Sequence, residues 1–300
     1  MDRFLTMQVF VAVGEEQSFA AAARRLALSP PVVTRAVNAL EQSLRVKLLQ
    51  RTTRIVRLTE AGARYLLDCK RLLSELEDAD QAASGAQAEV RGTLAITASV
   101  LFGRAFVAPL LLAFLSRHAK LNLRALFVDR VVDLIEEGVD VAVRIAHLPD
   151  ASFTAIRVGA VRNVVCASAA YLKRHGVPRT PEALKEHPAL CFSGDRTAPA
   201  WSFEVGKHLV SVRPRARLLV NSPEVAMQAA IAGEGVTRVL SYQAASAVKA
   251  GQLRVILSEF EQEPIPIHVI HREGKNAAAR VRAFVDFAVA ELRKNTLLRA

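Results

Sequence analysis

The chain has 300 residues, 51% of them hydrophobic, with a formal charge of +11 and a pI near 10.1. That is enough chain for two or three compact units of ~100–200 residues, and it excludes a globally disordered polymer. The basic balance favours nucleic acid, an anionic surface or small anions as partners. No uncharged run approaches the ~20 residues of a spanning helix, so no membrane partner is expected.

Charge is uneven along the chain. Residues 1–58 are basic, 59–90 are acidic and the remainder is basic again. Cys69, Cys166 and Cys191 are odd in number and far apart, with neither metal spacing nor a disulfide framework. A reducing, cytoplasmic compartment fits them. The run from Phe4 to Gly14 superficially matches a signal-peptide core. Asp2 precedes it, Thr6 and Gln8 interrupt it and Glu15-Glu16 follow it, so it reads as a first helix.

Ser18 is placed to N-cap a second helix through Phe19, the alanines 20–23 and Arg24-Arg25-Leu26. Ser29 opens a third, with Pro30 and Pro31 in a first turn whose amide hydrogens lack intrahelical partners. Only a tight turn separates the two, which is a helix-turn-helix. Val33, Val37, Leu40 and Leu44 form the inward stripe of the third helix. Thr34, Arg35 and Asn38 lie on the opposite face, where a recognition helix meets base edges. Arg can bond guanine twice and Asn can bridge adenine; an ordinary solvated face is the competing reading. Val46 to Leu49 is apolar, then Arg51, Thr52, Thr53 and Arg54 lead into a short strand over 55–58. A basic hairpin after a helix-turn-helix is a wing, with Arg51, Thr52 and Arg54 beside phosphates.

Residues 18–62 resemble the DNA-binding domain of LysR-type transcriptional regulators. The likeness rests on Ser18-Phe19 with the alanine run, Leu26, Ser29, Pro31-Val32-Val33-Thr34-Arg35 and Leu40-Glu41. It continues through Leu44, Val46, Leu48, Arg51-Thr52, Arg54 and Leu58-Thr59-Glu60-Ala61-Gly62. With Ser29 and Pro31 added, the expected DNA-contacting set is Ser29, Pro31, Thr34, Arg35, Asn38, Arg51, Thr52 and Arg54. Three positions depart from the pattern: Pro30 stands where Gln is frequent, Gln17 replaces a common Gly, and Arg45 stands where Gly usually ends the recognition helix. A left-handed residue there costs a non-glycine roughly 1 kcal/mol, so either the turn differs or the strain is carried.

Thr59 can cap a long linker helix running to about Ala88, giving expected units of 1–58, 59–89 and 90–300. Positions 58, 65, 72, 79 and 86, with 62, 69, 76 and 83, form a heptad seam of mostly small and apolar residues. The seam suits pairing with a second chain, as a homodimer or homotetramer; packing against the chain's own domain is the alternative. The resemblance implies antiparallel pairing, with Cys69 a buried packing residue.

Strands are expected over 94–98, 121–128 and 140–145, with helices over 102–117 and 132–137. Further alternation follows from Asn163, which argues for a mostly parallel sheet covered by helices. The stretches 92–97, 133–144, 164–171 and 233–236 resemble the family's effector-binding domain. That resemblance implies a two-lobed α/β, periplasmic-binding-protein-like fold, with lobe one over 90–161 and 268–300, lobe two over 162–267, and a small ligand between. Ligands in open α/β sheets sit at the C-terminal strand ends, by helix N-termini. That rule selects Ser99, Val100, Leu101, Phe102, Arg144, Ser222 and Thr237, and an anionic, carboxylate-like effector would suit them. Plain helix capping by Ser99 and Ser222, and a structural ion pair for Arg144, remain open. So does core packing, rather than cleft lining, for Phe192 and Trp201. Arg213, Arg215 and Arg217 alternate as a solvated strand face would.

No phosphate-binding Gly-Lys loop or nucleophile elbow is found. His268 and His271 point to opposite faces of a strand, a poor metal pair. Gly233 and Gly235 lack the third glycine of a dinucleotide fingerprint. No enzyme activity, metal or cofactor is expected. The reading is a regulator that binds an inverted-repeat promoter site on double-stranded DNA under control of a small molecule. A solute-binding protein of similar lobed fold would need a secretion signal and no basic head. A regulator whose body binds only a protein is the other rival.

Overall fold

The computed structural model describes residues 2–51, 56–83, 90–148, 153–194, 197–271 and 277–299. The wing expectations at Thr52, Thr53, Arg54 and Ile55, and the linker beyond position 83, lie outside the described residues.

Helices α1 (Arg3–Glu16), α2 (Phe19–Arg25) and α3 (Pro30–Leu44) precede a hairpin of β1 (Leu49–Arg51) and β2 (Val56–Leu58), and α4 (Glu60–Ala83) follows. Ser18 Oγ accepts from Ala21 N at 3.3 Å and Thr59 Oγ1 from Gly62 N at 2.9 Å, so both side chains cap as their positions predict. Ser29 occupies the N-cap of α3 but its side chain makes no capping bond. Val9, Phe10, Val13, Ala22, Val33, Val37, Leu40 and Leu48 close one core. Each large side chain buried there contributes roughly 1.5–3 kcal/mol.

Cys69 belongs to this same core, fully buried within its own chain, and Leu58, Tyr65 and Leu66 pack against it. The first half of the heptad seam is therefore spent on the chain's own domain, whereas Leu72 and Leu76 further along stay exposed.

The three turns that follow α1, α2 and α3 each carry a non-glycine residue in the left-handed region: Gln17 (φ 50), Ala27 (φ 53) and Arg45 (φ 54). The Arg45 turn thus keeps the left-handed geometry, its N–H bonding to the Gln42 and Glu41 carbonyls, and carries the strain. Arg45→Gly should stabilise the head by ~0.5–1 kcal/mol, a shift of a few degrees in its thermal midpoint. An unchanged or lower midpoint would show that the arginine side chain outweighs the strain.

Next come β3 (Gly92–Ala98), α5 (Val100–Phe102), a π turn (Gly103–Val107) and α6 (Ala108–Leu115), then β4 (Leu121–Phe127), β5 (Val141–Ile145) and β6 (Thr154–Val161). β7 (Asn163–Ala167), α7 (Ala169–His175), β8 (Ala189–Phe192), β9 (Trp201–Val205), β10 (His208–Val212) and β11 (Ala216–Val220) succeed them. The chain ends through α8 (Pro223–Ile231), β12 (Thr237–Leu240), α9 (Ser241–Lys249), β13 (Arg254–Ile256), β14 (Ile265–His271) and α10 (Ala279–Lys294).

Lobe one is the five-stranded sheet β4-β3-β5-β14-β6, and lobe two holds β12-β7-β13 and β11-β8, linked by an Ala189–Val236 bridge, with the hairpin β9-β10. The sheets are mixed rather than mostly parallel. β3 runs parallel to β4 and β5, while β14 enters antiparallel to β5 and β6 because the chain returns from lobe two to complete lobe one. β14 starts at Ile265, so that return precedes the expected boundary at 268.

Two expected helices differ. The helix over 102–117 is widened by the π turn just ahead of Pro109, which has no amide hydrogen to continue the ladder. In place of the helix expected over 132–137 a turn covers 134–138, because the Asp133 carboxylate takes the Ile135 and Glu136 amides at 2.8 and 3.1 Å in competition with helix. Of the three alternating arginines only Arg217 lies in a strand; it pairs with Glu234 at 2.9 Å, and Arg213 and Arg215 sit in the preceding loop.

Candidate nucleic-acid interface and interlobe cleft

Arg35 and Asn38 are exposed on one face of α3, with Ser29 and Pro31 exposed at its start. Ala36 and Val37 are buried behind them. Thr34 is half-buried, and its hydroxyl donates to the Pro30 carbonyl at 3.1 Å, leaving its lone pairs for a donor. The backbone of Arg51 closes β1 opposite Val56.

The residue that fixes this face relative to the wing is Glu41, which the sequence offers only as part of a motif. Its side chain is 3% exposed. Oε1 accepts from Leu48 N and Leu49 N at 2.9 and 3.1 Å, and Oε2 from Lys47 Nζ at 2.8 Å. One carboxylate on α3 therefore organises the turn into β1. Burial pushes its pKa up, but the Lys47 ammonium and the two amides bring it below the usual 4.5. A depressed carboxylate stabilises the fold above its unfolded pKa, and that contribution disappears as pH falls through the folded value. Glu41→Gln should therefore lower head stability at pH 7 and lessen its acid sensitivity below about 4.5. Urea unfolding at pH 7 and pH 4 measures this, and identical pH dependence of the two proteins would refute it.

On lobe one, the C-terminal ends of β3, β4 and β5 bring together Ser99, Asp129 and Arg144. Ser99 precedes α5 but makes no capping bond; instead the Asp129 carboxylate accepts from Val100 N at 2.9 Å. Arg144 is half-buried and donates to the Val128 carbonyl at 3.0 Å and the Thr97 hydroxyl at 3.1 Å. Burial lowers its pKa, and the Asp129 charge opposes that shift. Phe102 is fully buried in the lobe-one core. Val100 and Leu101 are half-buried.

Contacts from lobe two meet this edge through Tyr242 and Glu224. Tyr242 of α9 sets its ring 5.6 Å from Phe102 and 5.5 Å from Phe106, and burial raises its hydroxyl pKa to about 12. Arg104 pairs with Glu224 of α8 at 3.4 Å. Ser222 caps α8, accepting from Val225 N at 3.4 Å.

Trp201, Thr237 and Phe192, expected at the cleft, pack within lobe two. Trp201 is 3% exposed in the lobe-two core, where apolar packing takes its ring. Thr237 is fully buried, its hydroxyl donating to the Leu190 carbonyl at 2.8 Å. Phe192, half-buried at the end of β8 beside Val220, packs on a lobe-two cluster. Among the described residues no His/Cys/Asp/Glu group could hold a metal, and no helix is long and apolar enough to cross a membrane.

Comparison with known proteins matches residues 4–63 to the bacterial regulatory helix-turn-helix protein, lysR family, and residues 87–293 to the LysR substrate binding domain. The chain belongs to the LysR family. It is similar to an HTH-type transcriptional regulator of Xanthomonas campestris pv. campestris, with 34% identity covering 95% of this chain and 84% of the relative. It is also similar to the HTH-type transcriptional activator AaeR of Escherichia coli, with 32% identity covering 95% and 93%. Among solved structures, CrgA, a LysR-type transcriptional regulator from Neisseria meningitidis, superposes with a TM-score of 0.60 at 29% identity, covering 96% of this chain and 98% of CrgA.

This LysR-family chain is thus a DNA-binding transcriptional regulator with an effector-binding domain, and not an enzyme. Three residues that organise these two faces escaped the sequence reading. Glu41 looks like any helix-surface acid until its burial is known. Asp129 follows a strand as loop polars often do. Tyr242 is 140 residues away from its Phe102 partner, and no periodicity connects them.

Proposed function

We propose that this regulator binds an inverted-repeat promoter site as a cytoplasmic homodimer or homotetramer. Arg35 and Asn38 read base edges and Arg51, Thr52 and Arg54 hold phosphates. A small acid in the interlobe cleft sets the state. The observation carrying this reading is the exposed polar face of α3 backed by a closed core, a surface with no packing role in its own chain. The exposed Leu72 and Leu76 on α4 support pairing through the linker.

The cleft sharpens the effector chemistry. Asp129 already fills the amide position that a ligand carboxylate would take. An anionic effector therefore displaces Asp129 from Val100 N, and its charge is met by Arg144. Footprinting of purified protein on DNA upstream of its own gene at low salt tests the first half; absence of protection would count against it. A thermal-shift screen of small carboxylates against wild type and Asp129→Asn tests the second. The variant should bind the effective acid about tenfold more tightly, since a neutral competitor is easier to displace from a charge-assisted bond. Equal affinity in both proteins would remove Asp129 from the site.

A further inference from the structure

In the lobe-one sheet β14 lies between β5 and β6, and His268 stands directly across from Arg144 on β5 and from Arg157 on β6. Directly opposed residues share a face, with side chains ~5 Å apart at their roots. Ile267 and Val269, on either side of His268, enter the lobe-one core, so the row Arg144, His268, Arg157 lies on the other face of the sheet. His268 is thus the immediate neighbour of the guanidinium that meets an anion in the proposed cleft.

His268 carries an unused acceptor. Its ring bonds to the Ala146 backbone, and Nδ1 is buried with no hydrogen-bond partner among the described residues. The Ala146 bond favours the protonated ring, so the ring is the donor and Nε2 carries the hydrogen. Burial, with the charges of Arg157 and His147, holds the ring's pKa below the usual 6.5. The imidazole is therefore neutral at pH 7, and Nδ1 keeps its lone pair. A buried acceptor without a donor is destabilising and rare in folded proteins. The neighbouring cations do not fill it. Arg144 donates to the Val128 carbonyl and the Thr97 hydroxyl. The exposed Arg157 guanidinium makes no hydrogen bond or ion pair among the described residues.

We propose that the effector acid carries a hydroxyl one or two carbons from its carboxylate, with the carboxylate on Arg144 and the hydroxyl donating to His268 Nδ1. This rests on the cleft reading above and narrows it. An amino acid fits less well, because its ammonium would stand beside the guanidinium groups of Arg144 and Arg157, and like charges at that range repel. An acid with no hydroxyl leaves Nδ1 unpaired. A site built around a polar partner rejects the analogue that lacks it.

The test is calorimetric titration of the full chain with matched acids: lactate, propanoate and alanine, then 3-hydroxybutanoate, butanoate and 3-aminobutanoate. Histidine-selective nitrogen-15 NMR reads the His268 ring in the same samples, its signals assigned by their absence from His268→Asn. At least one hydroxy acid should bind about tenfold more tightly than its deoxy and amino partners, and it alone should move the Nδ1 resonance. His268→Asn, whose amide oxygen can accept in place of Nδ1, should keep the preference, and His268→Leu should abolish it. If His268→Leu does not fold, the Nδ1 shift in wild type decides. Equal binding of hydroxy and deoxy acids, tighter binding of the amino acids, or a hydroxy-acid complex with Nδ1 unmoved overturns this inference and leaves an acid in the cleft. No binding by any of the acids, or binding that Arg144→Gln does not weaken, overturns both.

Discussion

Gly62→Ala should unfold the DNA-binding head while leaving the regulatory lobes folded. Gly62 lies in the first turn of α4, and a Cβ built there would overlap the Leu48 carbonyl oxygen, with the Leu48 carbonyl carbon at 2.8 Å. Both atoms are backbone, so no rotamer change relieves the clash. The same carbonyl accepts from Thr59 N at 2.9 Å and Thr59 Oγ1 at 3.2 Å, and Thr59 also caps the helix through Gly62 N. Moving α4 outward strains or breaks these bonds together. Overpacking costs ~1–3 kcal/mol and each lost bond about 1 more, so the sum approaches the whole stability of a head this size, ~0.05–0.15 kcal/mol per residue. Circular dichroism should show loss of the head's transition with the regulatory transition intact, and footprints should vanish. A variant with wild-type melting would disprove the close approach.

The second large effect concerns reading rather than folding. Arg35→Ala and Asn38→Ala should each weaken binding to the specific site by ten- to a hundredfold, from ~1–3 kcal/mol per bidentate base contact. Binding to unrelated DNA should change far less, because phosphates supply that term. Arg54→Ala should do the reverse, weakening all sequences alike and reducing the salt slope by about 1. The comparison needs specific and random duplexes at several salt concentrations. Parallel losses on both DNAs for Asn38→Ala would mean that this face touches backbone only.

Much of the head was legible because its signals are local. Capping by Ser18 and Thr59, prolines at the start of α3 and the inward stripe Val33, Val37 and Leu40 all act within a few residues. What was not legible depended on distant partners. Trp201 can be read as cleft or, more readily, as core until β9 folds it inward. The family resemblance returns the chain to lobe one near 268, but the antiparallel sense of β14 against β5 and β6, and its start at Ile265, show only in the strand pairing. The carboxylate expected from a ligand beside Ser99 was already present in the chain, thirty residues on, as Asp129. At the linker, periodicity alone could not divide one stripe between two partners: Cys69 serves its own domain and Leu72 and Leu76 face outward.

Arg280, in the first turn of α10, is 7% exposed and reaches two ways. Its Nε donates to the Thr93 carbonyl at the start of β3, and its terminal nitrogen donates to Ser74 Oγ on α4 at 2.8 Å. The linker helix is therefore tied to lobe one, the lobe on which the chain both begins and finishes its regulatory domain. Kinematically, lobe one and the linker act as the frame and lobe two as the lever. Were the cleft to open or close, it is the lever's outer surface that would travel relative to the DNA-binding head. On the proposed effector reading, a signal from the cleft would become a change in where neighbouring molecules can rest against lobe two, rather than a bend in the chain's own neck.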